Sequence, residues 1–167
     1  MNKHIIAGLV LAGSVAAAPA AKALPLIDIG VGAGVLTMED DSDGAAAVSA
    51  LVGVNIPATP FGVEGTFTQT ISDGSFDFNG GSLDYSGNQL GAFVTANTPT
   101  PGIKVKGKLG MVRSDFDFDG MGSASSTDFA FGAAVIFTSW QLEWTRTKVD
   151  DGGVDQDIDY ISISYVW

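Results

Sequence analysis

Cysteine is absent from the chain, and histidine occurs once, at His4. Without thiols there is no disulfide framework and no thiolate to act as a nucleophile or zinc ligand. Charge is scarce as well: only 16% of residues are Asp, Glu, Lys or Arg, with eight basic against 19 acidic. A net charge of −11 excludes the clustered Lys and Arg that nucleic-acid binding requires. Long apolar runs are also missing. Although 46% of the residues are hydrophobic, no stretch beyond the N-terminal segment approaches the ~18 consecutive apolar residues of a membrane helix. So apolar a chain without such a run is either a buried-core globule or a membrane barrel.

What is present begins with a targeting segment. Residues 1–23 read as a secretory signal peptide, with Lys3 as the positive n-region, residues 5–18 as the apolar core and Ala21-Lys22-Ala23 as a small-x-small cleavage site. Cleavage there leaves residues 24–167 as one domain, with six basic residues against 19 acidic ones. His4 leaves with the signal.

From residue 24 onward the chain divides into eight segments of strand length, near 26–36, 46–56, 61–71, 83–96, 103–113, 127–137, 140–148 and 158–167. The period is two. In the fifth segment Ile103, Val105, Leu109 and Met111 oppose Lys104, Lys106 and Lys108; in the last, Ile161, Ile163, Tyr165 and Trp167 oppose Tyr160, Ser162, Ser164 and Val166. The fourth segment is the least regular, because Phe93 falls opposite Leu90, Ala92 and Val94, and a bulge is one reading. Leu51 is a similar apolar exception on the polar face of the second.

The connections alternate in kind. Residues 57–60, 97–102 and 138–139 are short, whereas 38–44, 72–82, 115–126 and 150–157 are longer, polar and acidic. Short turns at one end and long loops at the other suit a barrel that crosses an outer membrane, with its termini on the periplasmic side. The polar faces carry Gly, Ser, Thr and single charges, which fit the narrow interior of eight strands. The apolar faces then meet lipid. Phe61, Phe137, Trp140, Tyr165 and Trp167 lie beside the short turns or the C-terminus, where aromatic rings settle at a bilayer interface. A soluble lipocalin-like carrier would turn the two faces the other way.

Tyr165-Val166-Trp167 resembles the C-terminal assembly signal of bacterial outer-membrane barrels. With the signal peptide, eight amphipathic segments and unequal connections, the chain resembles the small outer-membrane β-barrels typified by the OmpA transmembrane domain and OmpX. The resemblance implies an all-β fold, an eight-stranded antiparallel transmembrane barrel, in the bacterial outer membrane. It also implies a monomer whose partners are membrane lipid, lipopolysaccharide and, during biogenesis, the barrel-assembly machinery. No C-terminal peptidoglycan-binding domain is expected.

Glu64, Lys104, Lys106, Lys108 and Glu143 fall on the expected inward faces of the third, fifth and seventh segments. Charges in a narrow lumen must pair, since an unpaired buried charge costs several kcal/mol. The bland reading is structural charge compensation; the sharper one, which the family resemblance implies, is the lining of a small, low-conductance porin-like channel. Arg113 and Arg146 sit on the apolar register near the outer strand ends, at headgroup level, within reach of lipopolysaccharide phosphates. Asp115-Phe116-Asp117-Phe118-Asp119-Gly120 resembles the start of a calcium loop, but Ser126 stands where a bidentate Glu would be needed, so no metal or cofactor is expected. Barrel enzymes such as lipid A deacylases, phospholipases and omptins use a histidine, and residues 24–167 contain none. A structural or surface-interaction role through the acidic loops is therefore expected, without catalysis.

Deletion of Trp167 should lower the level of assembled barrel while leaving export unchanged. Membrane fractionation with a heat-modifiability gel reads this, and normal barrel levels would count against the assembly signal.

Overall fold

The computed structural model describes residues 26–38, 43–78, 81–98, 100, 102–120, 122–151 and 154–167; the signal segment lies outside them, as does most of the first long loop. Its strands are β1 (Ile27–Met38), β2 (Ala45–Asn55), β3 (Phe61–Thr70), β4 (Gly74–Phe78) and β5 (Gly81–Asn97). There follow β6 (Ile103–Phe118), β7 (Gly122–Phe137), β8 (Trp140–Asp151) and β9 (Val154–Val166).

Every pairing is antiparallel, in the order β3-β2-β1-β9-β8-β7-β6-β5-β4, and β3 pairs with β5 to close the circle. The barrel has eight staves, because β4 continues β3 along the same neighbour: β3 pairs with residues 88–96 of β5 and β4 with residues 81–85. β1 and β9 make the seam that joins the two ends of the chain, from Gly30↔Val166 to Met38↔Ile158. Beyond that ladder the Trp167 amide donates to the Ile29 carbonyl at 2.8 Å.

The sheet is greasy outside and polar within. Leu90, Val94, Leu109, Leu142, Ile161 and Ile163 point outward and are 53–60% exposed, while Glu64, Thr68, Gln89, Lys106, Ser162 and Ser164 point inward and are at most 7% exposed. A water-soluble barrel has the opposite arrangement, so the carrier alternative falls. No helix among the described residues is long and apolar enough to cross a membrane; the strands do so instead.

Two expectations need correction. The fourth segment has no bulge, for β5 keeps one continuous register with both β3 and β6. Phe93 simply points into the lumen, 4% exposed, as does Leu51 at 8%. Gly91 on the same face makes the room, because a side chain there would run into the Phe93 ring. Three of the long connections, 72–82, 115–126 and 150–157, are also largely strand among their described residues. The stretch 115–126 is mostly hairpin, with Asp115↔Ser125, Phe116↔Ala124 and Asp117↔Ser123 in register. Its polarity suggests a connection, but its alternation of Phe and Asp is strand-like and continues the wall beyond the apolar band.

At Gly34 an added Cβ would press on the Ile161 carbonyl and the Ser162 backbone across the seam, whereas Gly107 has open space at its Cβ. Gly34→Val should therefore lower stability by about 1–3 kcal/mol through overpacking. Gly107→Val should leave it unchanged. Urea unfolding in detergent, followed by gel mobility, distinguishes them.

Candidate functional site

The inward register of β3, β6 and β8 brings four charges together near the short-turn end of the lumen. Lys106 Nζ lies 2.7 Å from Glu64 Oε2, and Lys108 Nζ lies 3.4 Å from Glu64 Oε1. Lys108 also forms a short ion pair with Glu143. Two ammonium groups and two carboxylates thus cancel. All four residues are 4–6% exposed, so the cluster is desolvated and stable only because each charge has partners.

Neutral groups complete it. Gln141, fully buried, accepts from Lys106 Nζ at 3.0 Å and donates to Glu143 Oε2 at 2.6 Å. The Thr145 hydroxyl donates to Glu143 Oε1 at 3.1 Å. Phe93 lies under Lys108, with Nζ 4.2 Å from the ring centroid. Gln141 and Thr145 flank Glu143 two residues away on either side, on the same strand face, so the period of two contained their positions.

Lys104 does not join the cluster. It shares the inward register but sits one residue into β6, where it is exposed at the mouth of the barrel. Alternation assigns a face, not a depth, and the depth here places its ammonium group in water.

Above the charges the lumen changes character. Phe93, Val112 and Ala130 form a small apolar layer. Beside it is a void of about 20 Å³, lined in part by Ser49, Thr68, Gln89, Lys108, Tyr160 and Ser162, which suffices for a water and not for a solute. Toward the long-hairpin end, Leu36, Met38, Ala45, Ala47, Tyr85, Phe116, Ile158 and Tyr160 pack into an apolar plug, with Phe118 and Val149 against it. Tyr85 is 1% exposed and its hydroxyl donates to the Leu36 carbonyl at 2.9 Å, pinning β5 to β1 across the barrel. Sequence reading missed this plug. Lys106 and Phe116, ten residues apart on the inward face of β6, belong to the charged layer and to the plug respectively, and Tyr160 of the plug lines the same small void as Lys108.

The outer wall carries the remaining sites. Phe61, Phe137 and Trp140 are 51–60% exposed beside the short turns. Trp140 packs edge-on to Tyr165 at 5.3 Å, and Tyr165 to Trp167 at 5.2 Å, forming one aromatic cluster at the closing strand. Arg146 is held on the outer face by Asp159 at 2.6 Å and Asp157 at 3.1 Å. Arg113 is exposed and reaches Asp115 at 3.3 Å. No group of acidic or histidine side chains among the described residues is arranged to hold a metal ion.

A closed, inside-out, eight-staved barrel defines the class, and sequence comparison supplies the family: the chain belongs to the outer membrane protein beta-barrel domain family, whose model matches residues 6–166. Among curated proteins, no sequence matches it. The N-terminal barrel of Pseudomonas aeruginosa OprF shares the fold at 10% identity and a TM-score of 0.55, over 84% of this chain and 97% of that one. Neisserial surface protein A is similar at 14% identity and a TM-score of 0.56, over 84% and 95% of the two chains. Ail of Yersinia pestis, solved with the heparin analogue sucrose octasulfate, is similar at 17% identity and a TM-score of 0.51, over 85% and 97%. At these identities the likeness is one of fold.

Glu64→Gln should destabilise the barrel by about 3–5 kcal/mol, because it leaves buried lysine charge uncompensated. Adding Lys106→Met should recover most of that loss, since Lys108 and Glu143 still pair. A double-mutant cycle by urea unfolding in detergent measures both steps.

Proposed function

We propose that this outer-membrane barrel is non-catalytic and acts as a structural and surface-interaction element through its acidic long hairpins. The filled lumen carries this reading. A charge-neutral cluster and an apolar plug occupy it at two heights, and the void between them holds about 20 Å³. A barrel blocked in this way has its working surface outside. There the chain offers lipid an apolar band, with an aromatic cluster at the short-turn boundary and Arg113 and Arg146 near the opposite one.

The absence of histidine from residues 24–167 supports a non-catalytic role. The charge of the hairpins narrows the choice of partner. Ail was solved with a polyanion, and the hairpins of this chain repel one: Asp115, Asp117 and Asp119 stand at a single tip. Lipopolysaccharide contact is assigned to the arginine level below, and the protein works as a monomer in lipid.

Two measurements test the reading. In planar bilayers the purified barrel should show no steady conductance; a steady current altered by Glu64→Gln would establish the channel alternative instead. Because the chain lacks cysteine, Ser125→Cys creates a unique thiol. A membrane-impermeant maleimide should label it on intact cells, and labelling only after permeabilisation would reverse the proposed orientation.

A further inference from the structure

Asp-Gly occurs in each of the four long connections and nowhere else: Asp43-Gly44, Asp73-Gly74, Asp119-Gly120 and Asp151-Gly152. The pair is first of all a turn former, because aspartate and glycine both tolerate the backbone of a tight hairpin. It is also a reactive pair. Glycine has no Cβ to hold its amide nitrogen away from the carboxyl group of the residue before it. Where the backbone is free to turn, that nitrogen closes a five-membered ring on the carboxyl carbon. Reactivity therefore follows from how firmly the fold holds each peptide plane.

Two of the pairs are held firmly. Asp43 bridges to Ser75, its amide donating to the Ser75 carbonyl at 2.7 Å and its carbonyl accepting from the Ser75 amide at 2.9 Å. That carbonyl belongs to the Asp43–Gly44 peptide, and a Cβ at Gly44 would meet the Val35 and Thr37 side chains. Gly74 is buried in β4, in register with Tyr85, and a Cβ there would run into the Tyr85 ring and the Ala45 amide. Gly152 lies outside the described residues, as does the Asn79-Gly80 pair.

Asp119-Gly120 is placed differently. The β6–β7 ladder ends at Phe118↔Gly122, so the pair belongs to the turn beyond it, and both residues are exposed. The Asp119 amide donates to the Asp84 carbonyl at 3.1 Å, which anchors the pair on its N-terminal side. On the other side Gly120 has a φ of 82° and nothing within 4 Å of where a Cβ would stand. Space and backbone freedom coincide at the atoms that react.

We propose that Asp119-Gly120 is a site of spontaneous modification, where the chain converts aspartate to isoaspartate with water as co-reactant. The Gly120 amide nitrogen attacks Cγ of the Asp119 carboxylic acid. The N–Cγ bond forms, the C–OH bond breaks, and the hydroxyl leaves as water with the amide proton. Water then opens the resulting succinimide. Addition at the side-chain carbonyl restores aspartate. Addition at the main-chain carbonyl breaks the original peptide C–N bond and leaves the backbone running through Cβ and Cγ, with a free carboxylate on Cα. The product keeps its charge and gains a main-chain atom. Gly120 and Gly122, both at positive φ, absorb the added length, and the ladder below stands. A partner of this hairpin then meets a carboxylate whose position changes as the protein ages. Because the reaction needs water and not a particular side of the membrane, it is independent of the proposed surface role.

The test incubates the whole barrel in detergent, in warm, mildly acid buffer made with heavy-oxygen water. Mass spectrometry of its peptides then maps isoaspartate and label along the chain. Both should accumulate at Asp119 at least about tenfold faster than at Asp43 or Asp73, since local opening is cheap at a hairpin tip and expensive in a ladder. In the urea-unfolded chain the three sites should react alike, which assigns the difference to the fold. Asp119→Asn should give the same product faster, with ammonia leaving in place of water. Folded mobility on the gel should stay constant while isoaspartate accumulates. Equal rates at the three sites of the folded barrel would overturn the proposal, as would an Asp119 that stays unmodified there, whatever the unfolded chain does. Loss of folded mobility in step with the modification would overturn its confinement to the tip.

Discussion

Hydrocarbon offers no hydrogen bonds to a backbone, so a sheet that crosses it cannot keep an edge. That constraint organises this molecule. It demands the β1–β9 seam and the β3–β5 pairing, which together turn a row of hairpins into a closed wall. Closure with eight staves then leaves an interior only wide enough for side chains. The lumen is a core turned inside out, and its contents must satisfy one another as strictly as those of a soluble core.

They do so by two different means. Near the short turns the lumen is ionic, with Glu64 shared between Lys106 and Lys108, and with Glu143 and Gln141 completing the ring of bonds. Near the long hairpins it is apolar, with Tyr85 spanning the barrel to Leu36. The rule of closure applies only as far as the lipid does. Beyond it β7 and β8 separate, and an edge that would be intolerable in hydrocarbon is stable in water.

Much of this was legible from the order of residues, and the reason is physical. Ile103, Val105, Leu109 and Met111 alternate with three lysines that cannot face lipid, so β6 declared its structure and its facing together. Glu64 and Glu143 are inward for the same reason. What alternation cannot convey is height. Lys104 shares a face with Lys106 and Lys108 but lies at the mouth. Leu36, Met38, Tyr85 and Phe116 are apolar on a face that is polar lower down, so a pattern that assigns one character to each face overlooks the plug. Phe93 looked like a register fault for the same reason. It fills the space left by Gly91 and supports Lys108 with its ring. The polarity of Asp115 and Asp117 suggests a solvated connection, while their alternation with Phe116 and Phe118 is that of a strand.

The seam has a kinetic side. Gly30 faces Val166 and Gly34 faces Ser162, partners separated by roughly 130 residues, so contact order is high and loop-closure entropy must be met before the last ladder forms. Until β9 arrives, β1 presents a naked flank to whatever surrounds the chain. A polypeptide with its first and last strands unmatched is prone to mispairing and aggregation, and only the meeting of those two flanks with each other ends that exposure.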